Sequence, residues 1–93
     1  MKEMVQEGNG FAMKIDGHVV AEITFVPQGE ALVITHTFVS EVLRGRKIGE
    51  ELVSRVVQHA RENNMKIVPA CSFAHALFRR KKEYQDLWVR EEE

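Results

Sequence analysis

Val42-Leu43-Arg44-Gly45-Arg46-Lys47-Ile48-Gly49-Glu50-Glu51-Leu52-Val53 carries a basic, glycine-containing turn straight into the most regular amphipathic helix pattern in the chain. The first N–H groups of a helix have no intrahelical partner, and the helix dipole places partial positive charge there. Gly45 and Gly49 let a ligand approach the main chain closely, and Arg44, Arg46 and Lys47 add full charges around the same point. The turn therefore reads as an anion site suited to a phosphate or pyrophosphate. From Ile48 onward the apolar positions fall at Leu52, Val53, Val56, Val57 and Ala60, near helical period, so that stripe faces a sheet. Glu50, Glu51, Arg55, Gln58, Arg61 and Glu62 form the opposite, solvated face, and Asn63-Asn64 is a helix stop.

Upstream of the turn the chain is strand-like. Residues 11–16 alternate loosely, Asp16-Gly17 is a hairpin signal, and residues 18–26 are rich in β-branched side chains. Pro27-Gln28-Gly29-Glu30 marks a second reversal before residues 31–39, A-L-V-I-T-H-T-F-V, the most strand-like segment of all. The prediction is an antiparallel meander of three strands. Strict alternation would put Leu32, Ile34, His36 and Phe38 on one face of the last strand and Val33, Thr35, Thr37 and Val39 on the other. Apolar groups on both faces make it a central strand.

Downstream, residues 65–71 are a short apolar run that must end or splay near Pro69, which cannot donate to a ladder. Ser72 can cap a second helix whose apolar positions are Phe73, Ala74, Leu77 and Phe78, followed by the basic run Arg79-Arg80-Lys81-Lys82. Residues 84–89 could add a short final strand or pack as a cap, and residues 90–93 are expected to fray. The class is α+β, with order β-β-β-α-β-α and the optional final strand.

The bulk numbers bound the function. A chain of 93 residues with 44% hydrophobic content and no low-complexity tract is expected to form one domain over residues 1–93. A net charge of -1 argues against broad adhesion to nucleic acid or to an anionic membrane. The single cysteine, Cys71, forbids an internal disulfide and any motif of paired cysteines, which makes a reducing cytoplasm the expected compartment. No apolar run has membrane-spanning length, and the N-terminus lacks the order of a signal peptide. No spacing among the histidines and Cys71 supports a metal site. An exposed sheet edge leaves a monomer or a weak homodimer as the expected states.

Four segments together resemble the GNAT superfamily of acetyl-CoA-dependent N-acetyltransferases, and more narrowly its very small YjdJ-like members. They are I-T-H-T-F-V (residues 34–39), L-R-G-R-K-I-G with the following E-E-L-V, K-I-V-P-A-C-S-F (residues 66–73) and E-Y-Q-D-L (residues 83–87). Arg44 and Gly49 match the superfamily's pyrophosphate motif, Arg/Gln-x-x-Gly-x-Gly/Ala, whereas Lys47 stands where its first glycine is expected. If that position needs positive φ or unhindered approach of a phosphate to its N–H, lysine would weaken cofactor binding; if it is ordinary helical entry, the ammonium could strengthen it. The expectation is tolerance, because three further basic or glycine positions around it are intact. The resemblance implies a mixed sheet whose central strand parts from a parallel neighbour, with the pantetheine arm of coenzyme A in the gap. Main-chain groups near Phe38 and Val39 would bond the pantetheine. Those of Arg44, Gly45, Arg46, Lys47, Ile48 and Gly49 would hold the pyrophosphate.

Acyl transfer to an amine needs a neutral nucleophile, stabilisation of developing negative charge and a proton for the departing thiolate. By the resemblance Cys71 lies beside the thioester, as an acyl-accepting nucleophile or a lining residue; otherwise it is a small buried hydrophobe. His36 is a candidate general base or a hydrogen-bonded structural histidine. Tyr84 could protonate the thiolate or pack with its hydroxyl at the rim. Phe78 and Arg79 could touch the pantetheine and phosphates, although Phe78 equally suits a core. The basic run at residues 79–82 admits a solvated helix end, a contact to the cofactor's 3′-phosphate, or a small nucleic-acid patch that the near-neutral total charge disfavours. The expected function is acetyl transfer from acetyl-CoA to a primary amine of a small molecule or protein. The alternative is a coenzyme A-binding or protein-interaction module without turnover.

Overall fold

The computed structural model describes residues 2–89. Four antiparallel strands, β1 (Lys2–Glu7), β2 (Gly10–Ile15), β3 (His18–Gln28) and β4 (Ala31–Val39), lie in chain order, and β5 (Lys66–Pro69) adds parallel to β4. Between β4 and β5 the chain forms a 3₁₀ turn, Glu41–Leu43, and helix α1 (Ile48–Glu62). After β5 come helix α2 (Ser72–Arg80) and a 3₁₀ helix, Lys82–Leu87. Asp16 and Gly17 both take positive φ (51° and 84°), which matches the right-handed twist of the β2–β3 hairpin.

The meander thus has one strand more than the sequence pattern gives. K-E-M-V-Q-E has few β-branched residues and no clean alternation, and it forms β1 because Val5 and Met4 find partners in Ala12 and Met13 of β2. The optional final strand reduces to a single bridge, Ile67 to Trp88, with the Val89 N–H donating to the Ile67 carbonyl at 2.8 Å. Tyr84 belongs to the 3₁₀ helix instead. The predicted fraying of residues 90–93 lies outside the described residues.

Strict alternation along β4 also fails, for an identifiable reason. Thr24 pairs with His36 but Phe25 pairs with Ile34, so Thr35 is the extra residue of a β-bulge. Leu32 and Ile34 face the helices before the bulge, and Thr37 and Val39 face them after it, opposite Ile23 and Ala21. His36 and Phe38 are thereby moved to the other face, where both are exposed.

One hydrophobic cluster joins that inner face to both helices. Leu52, Val53, Val56, Val57 and Ala60 of α1 pack with Phe11, Met13, Ile23, Phe25, Leu32, Ile34 and Ile67 of the sheet, and Ala74, Leu77 and Phe78 of α2 complete it with Tyr84 and Leu87. Val19, Val26 and Phe38 are left to solvent on the outer face. Arg61 of α1 ties down the final 3₁₀ helix, donating to both carboxylate oxygens of Asp86 (2.8 and 3.2 Å) and to the Glu83 carbonyl (2.7 Å). The hydrogen bond from Arg61 holds the Asp86 carboxyl below its ordinary range. That tie therefore contributes above the ordinary carboxylate range and is lost as the pH falls through the lowered value. No described helix is long and apolar enough to cross a membrane, and no group of three metal-ligating side chains occurs among the described residues.

Phe78 is fully buried, with its ring 5.1 Å from that of Tyr84 and 6.1 Å from that of Trp88, so it is a core residue and not a cofactor contact. Phe78→Ala is expected to lower stability by about 3–5 kcal/mol in urea denaturation. A loss under about 1 kcal/mol would contradict this placement.

Candidate active site

The β4–β5 ladder runs from Ala31 opposite Lys66 to Ile34 opposite Pro69 and then stops. The N–H groups of Ala70 and Cys71 both donate to the Ile34 carbonyl at 3.1 Å, after which the chain turns into α2. β4 continues to Val39 with no neighbour on that side among the described residues. The Ser40 N–H donates to the Val20 carbonyl of β3 at 2.8 Å, and main-chain polar groups alternate along an antiparallel strand. His36 and Phe38 therefore direct theirs to β3, and Thr37 and Val39 direct theirs into the gap.

The turn that follows opens onto the same gap. Arg44 and Arg46 donate their N–H groups to Glu41 and Leu43, both at 3.3 Å, and Gly45 sits between them at φ 89°. Lys47 is the N-cap of α1 at φ 60°, ψ 25°, and its carbonyl accepts the first helical bond, from Glu51, at 3.2 Å. The N–H groups of Lys47, Ile48, Gly49 and Glu50 have no backbone acceptor among the described residues. A left-handed residue leading into a helix start gathers successive N–H groups into a concavity that attracts anions. Over it lies a cleft of about 440 Å³ lined by Thr37, Val39, Leu43, Arg44, Gly45, Lys47, Ile48, Gly49, Glu50 and Phe73.

Two of these residues correct the sequence reading. Lys47 occupies the left-handed region, so the alternative of ordinary helical entry does not hold; a lysine there is strained by roughly 1–2 kcal/mol. Gly49 is helical, and its lack of a side chain matters for another reason. A Cβ there would come within 2.7 Å of Phe73 Cζ, so the Phe73 ring rests directly on the helix start.

The remaining candidates divide clearly. Val39, Arg44, Gly45, Lys47, Ile48 and Gly49 line the cleft, and Arg46 lies in the same turn. Cys71 is half-buried one contact behind it: its Sγ lies 3.3 Å from Thr37 Oγ1 and accepts from the Ala74 N–H at 3.4 Å, so Cys71, and not Ser72, caps α2. His36 and Phe38 sit on the outer face, and the Phe38 main chain faces β3. Tyr84 is buried against Phe78 beside the Arg61 tie, and Arg79 is exposed on α2; neither lines the cleft. Thr37, Leu43, Glu50 and Phe73 do line it and were missed. Thr37 depends on a bulge that alternation cannot show, and Glu50 reads as one more charge on a solvated helix face.

A mixed α+β sheet whose central strand parts from its parallel neighbour, with a cleft at the start of the following helix, is the arrangement that the family resemblance implied. The comparisons agree. The sequence matches the family described as GCN5-related N-acetyl-transferase over residues 10–87, and the chain belongs to that family. No curated protein sequence matches it. Among solved structures, a GCN5-like protein from Staphylococcus aureus studied by NMR is 38% identical, with 97% of this chain and 90% of that one covered at a TM-score of 0.80. A GNAT family acetyltransferase from Brucella melitensis, solved in complex with acetyl-CoA, shares the fold at 18% identity and TM-score 0.60, over 76% of this chain and 49% of that one. The ribosomal-protein-S18-alanine N-acetyltransferase of Escherichia coli does so at 12% identity and TM-score 0.64, over 81% and 53%. The chain thus spans about half the length of the latter two. Family membership assigns it to acetyl transfer with a coenzyme A-based cofactor.

The Lys47 geometry yields a stability prediction. Lys47→Gly relieves the left-handed strain but adds freedom to the unfolded chain, and a net gain of about 0.5–1 kcal/mol is expected in chemical denaturation. A loss of stability would contradict the strained geometry.

Proposed function

We propose that this protein transfers the acetyl group of acetyl-CoA to a primary amine, with the cleft at the start of α1 as the cofactor site. The observation that carries the proposal is the set of N–H groups from Lys47 to Glu50, unpaired among the described residues and directed at a cleft with Arg44 and Lys47 on its wall. Donors without acceptors at the positive end of a helix, beside two cations, fit a diphosphate. The free main-chain groups of Thr37 and Val39 fit the amides of a pantetheine arm laid along β4 as a missing strand would be.

Bound acetyl-CoA would supply an activated thioester. The chain's own residues do the rest by positioning. N–H groups at the helix start hold the diphosphate, Arg44 and Arg46 neutralise it, and Thr37 and Val39 set the depth of the arm. Thr37 lines the cleft from β4 and touches Cys71, and in this reading the thioester would lie near that contact. The ionisable side chains lining the cleft are Arg44, Lys47 and Glu50, all at the phosphate end. Direct attack by the neutral amine is therefore the simplest route, with proximity and orientation as the main sources of acceleration.

Calorimetric titration tests the proposal. Acetyl-CoA is expected to bind, and the double variant Arg44→Ala/Arg46→Ala to bind at least about tenfold more weakly, with a reduced dependence on salt. Absence of binding at millimolar cofactor, or unaltered affinity in the double variant, would contradict the site.

A further inference from the structure

The basic end of α2 lies against one residue of the cleft lining. Glu50, in the first turn of α1, lines the cleft and meets two cations there: Arg80 Nη2 lies 3.6 Å from its Oε2, and Lys81 Nζ lies 3.6 Å from its Oε1. A lone carboxylate beside an anion site would repel the anion. With two cations against one carboxylate, the corner instead keeps a net positive charge. Both separations exceed a hydrogen bond, and the Arg80 side chain is 63% exposed, so these cations remain able to take a second anion.

Their position is fixed by the fold. Arg80 is the last residue of α2 and Lys81 its C-cap, with the Lys81 N–H bonded to the Leu77 carbonyl at 3.0 Å; the negative end of the helix dipole favours cations at this point. The diphosphate already has the start of α1 together with Arg44, Arg46 and Lys47. Arg80 and Lys81 are thus a separate charge, set against Glu50 beside the proposed diphosphate subsite. Coenzyme A carries one further phosphate, a monoester on the 3′ oxygen of its ribose, a single sugar away from the diphosphate.

Resting on the cofactor assignment above, we infer that Arg80 and Lys81, positioned by Glu50, form a second phosphate subsite. It recognises the 3′-phosphate of coenzyme A and distinguishes the cofactor from 3′-dephospho-coenzyme A. A phosphomonoester dianion facing two cations makes charge-assisted contacts that the dephospho form cannot make, and it displaces no buried group to do so.

The test compares calorimetric titrations of coenzyme A and 3′-dephospho-coenzyme A into the wild-type protein and the Arg80→Ala/Lys81→Ala variant. The wild type is expected to bind coenzyme A about tenfold more tightly than the dephospho form. The double variant is expected to bind both with the wild-type affinity for the dephospho form, which also shows that it is folded. The single variants Arg80→Gln and Lys81→Gln are each expected to lose part of the discrimination. Equal wild-type affinities, or full discrimination in all the variants, would overturn the subsite and leave the cofactor assignment standing. Failure of the wild type to bind either compound would overturn both.

Discussion

The carbonyl of Ile34 accepts hydrogen bonds from the N–H groups of both Ala70 and Cys71, and this shared acceptor closes the parallel ladder between β4 and β5. Pro69 has no N–H to extend it, and Cys71 is already committed to capping α2. β4 must therefore run on without a neighbour, which would ordinarily leave main-chain groups short of partners. The bulge at Thr35 turns Thr37 and Val39 toward the helices at this same place. The start of α1, with its own unpaired N–H groups, faces the gap. Two sets of backbone donors and acceptors without partners among the described residues converge on one cleft, and a ligand combining amides with phosphates would satisfy both.

Much of this was legible in the residues, because the relevant signals are local. The apolar stripe from Ile48 to Ala60 fixes α1 and its buried face, Asp16-Gly17 fixes the hairpin, and the basic turn before Ile48 marks the start of α1 and the cleft beside it. The misreadings share one cause, since each depended on contacts distant in sequence. β1 is a strand by virtue of β2, and K-E-M-V-Q-E alone carries little strand character. His36 and Phe38 changed faces because one inserted residue reverses alternation for everything after it. Phe78, for which the residues left a core role open, packs with Tyr84 and Trp88. Cys71, by contrast, stays next to the cleft, half-buried with its Sγ 3.3 Å from Oγ1 of Thr37, a residue of the lining.

Charge placement follows the same architecture. α1 begins at the cleft with cations before it and ends at Arg61, which anchors the last 3₁₀ helix far from the cleft. α2 begins at the gap with a sulfur cap and ends with its basic residues against Glu50. α1 thus brings its N-terminus and backbone donors to the cleft, and α2 contributes Phe73 from its first turn and two cations held against Glu50 from its last. The strained Lys47 fits this pattern, because the left-handed conformation aims the following N–H groups together at the cleft at a cost the buried stripe of α1 can absorb.

The most direct measurement is the response of individual backbone amides, followed by ¹H–¹⁵N NMR, as coenzyme A is titrated into the labelled protein. The account predicts that the largest shifts fall on Lys47, Ile48, Gly49 and Glu50, with a second set on Thr37 and Val39. Outer-face amides such as Val19 and Val26 should stay in place. Binding that moved other amides and left those of residues 47–50 unchanged would contradict the central claim that the start of α1 holds the diphosphate.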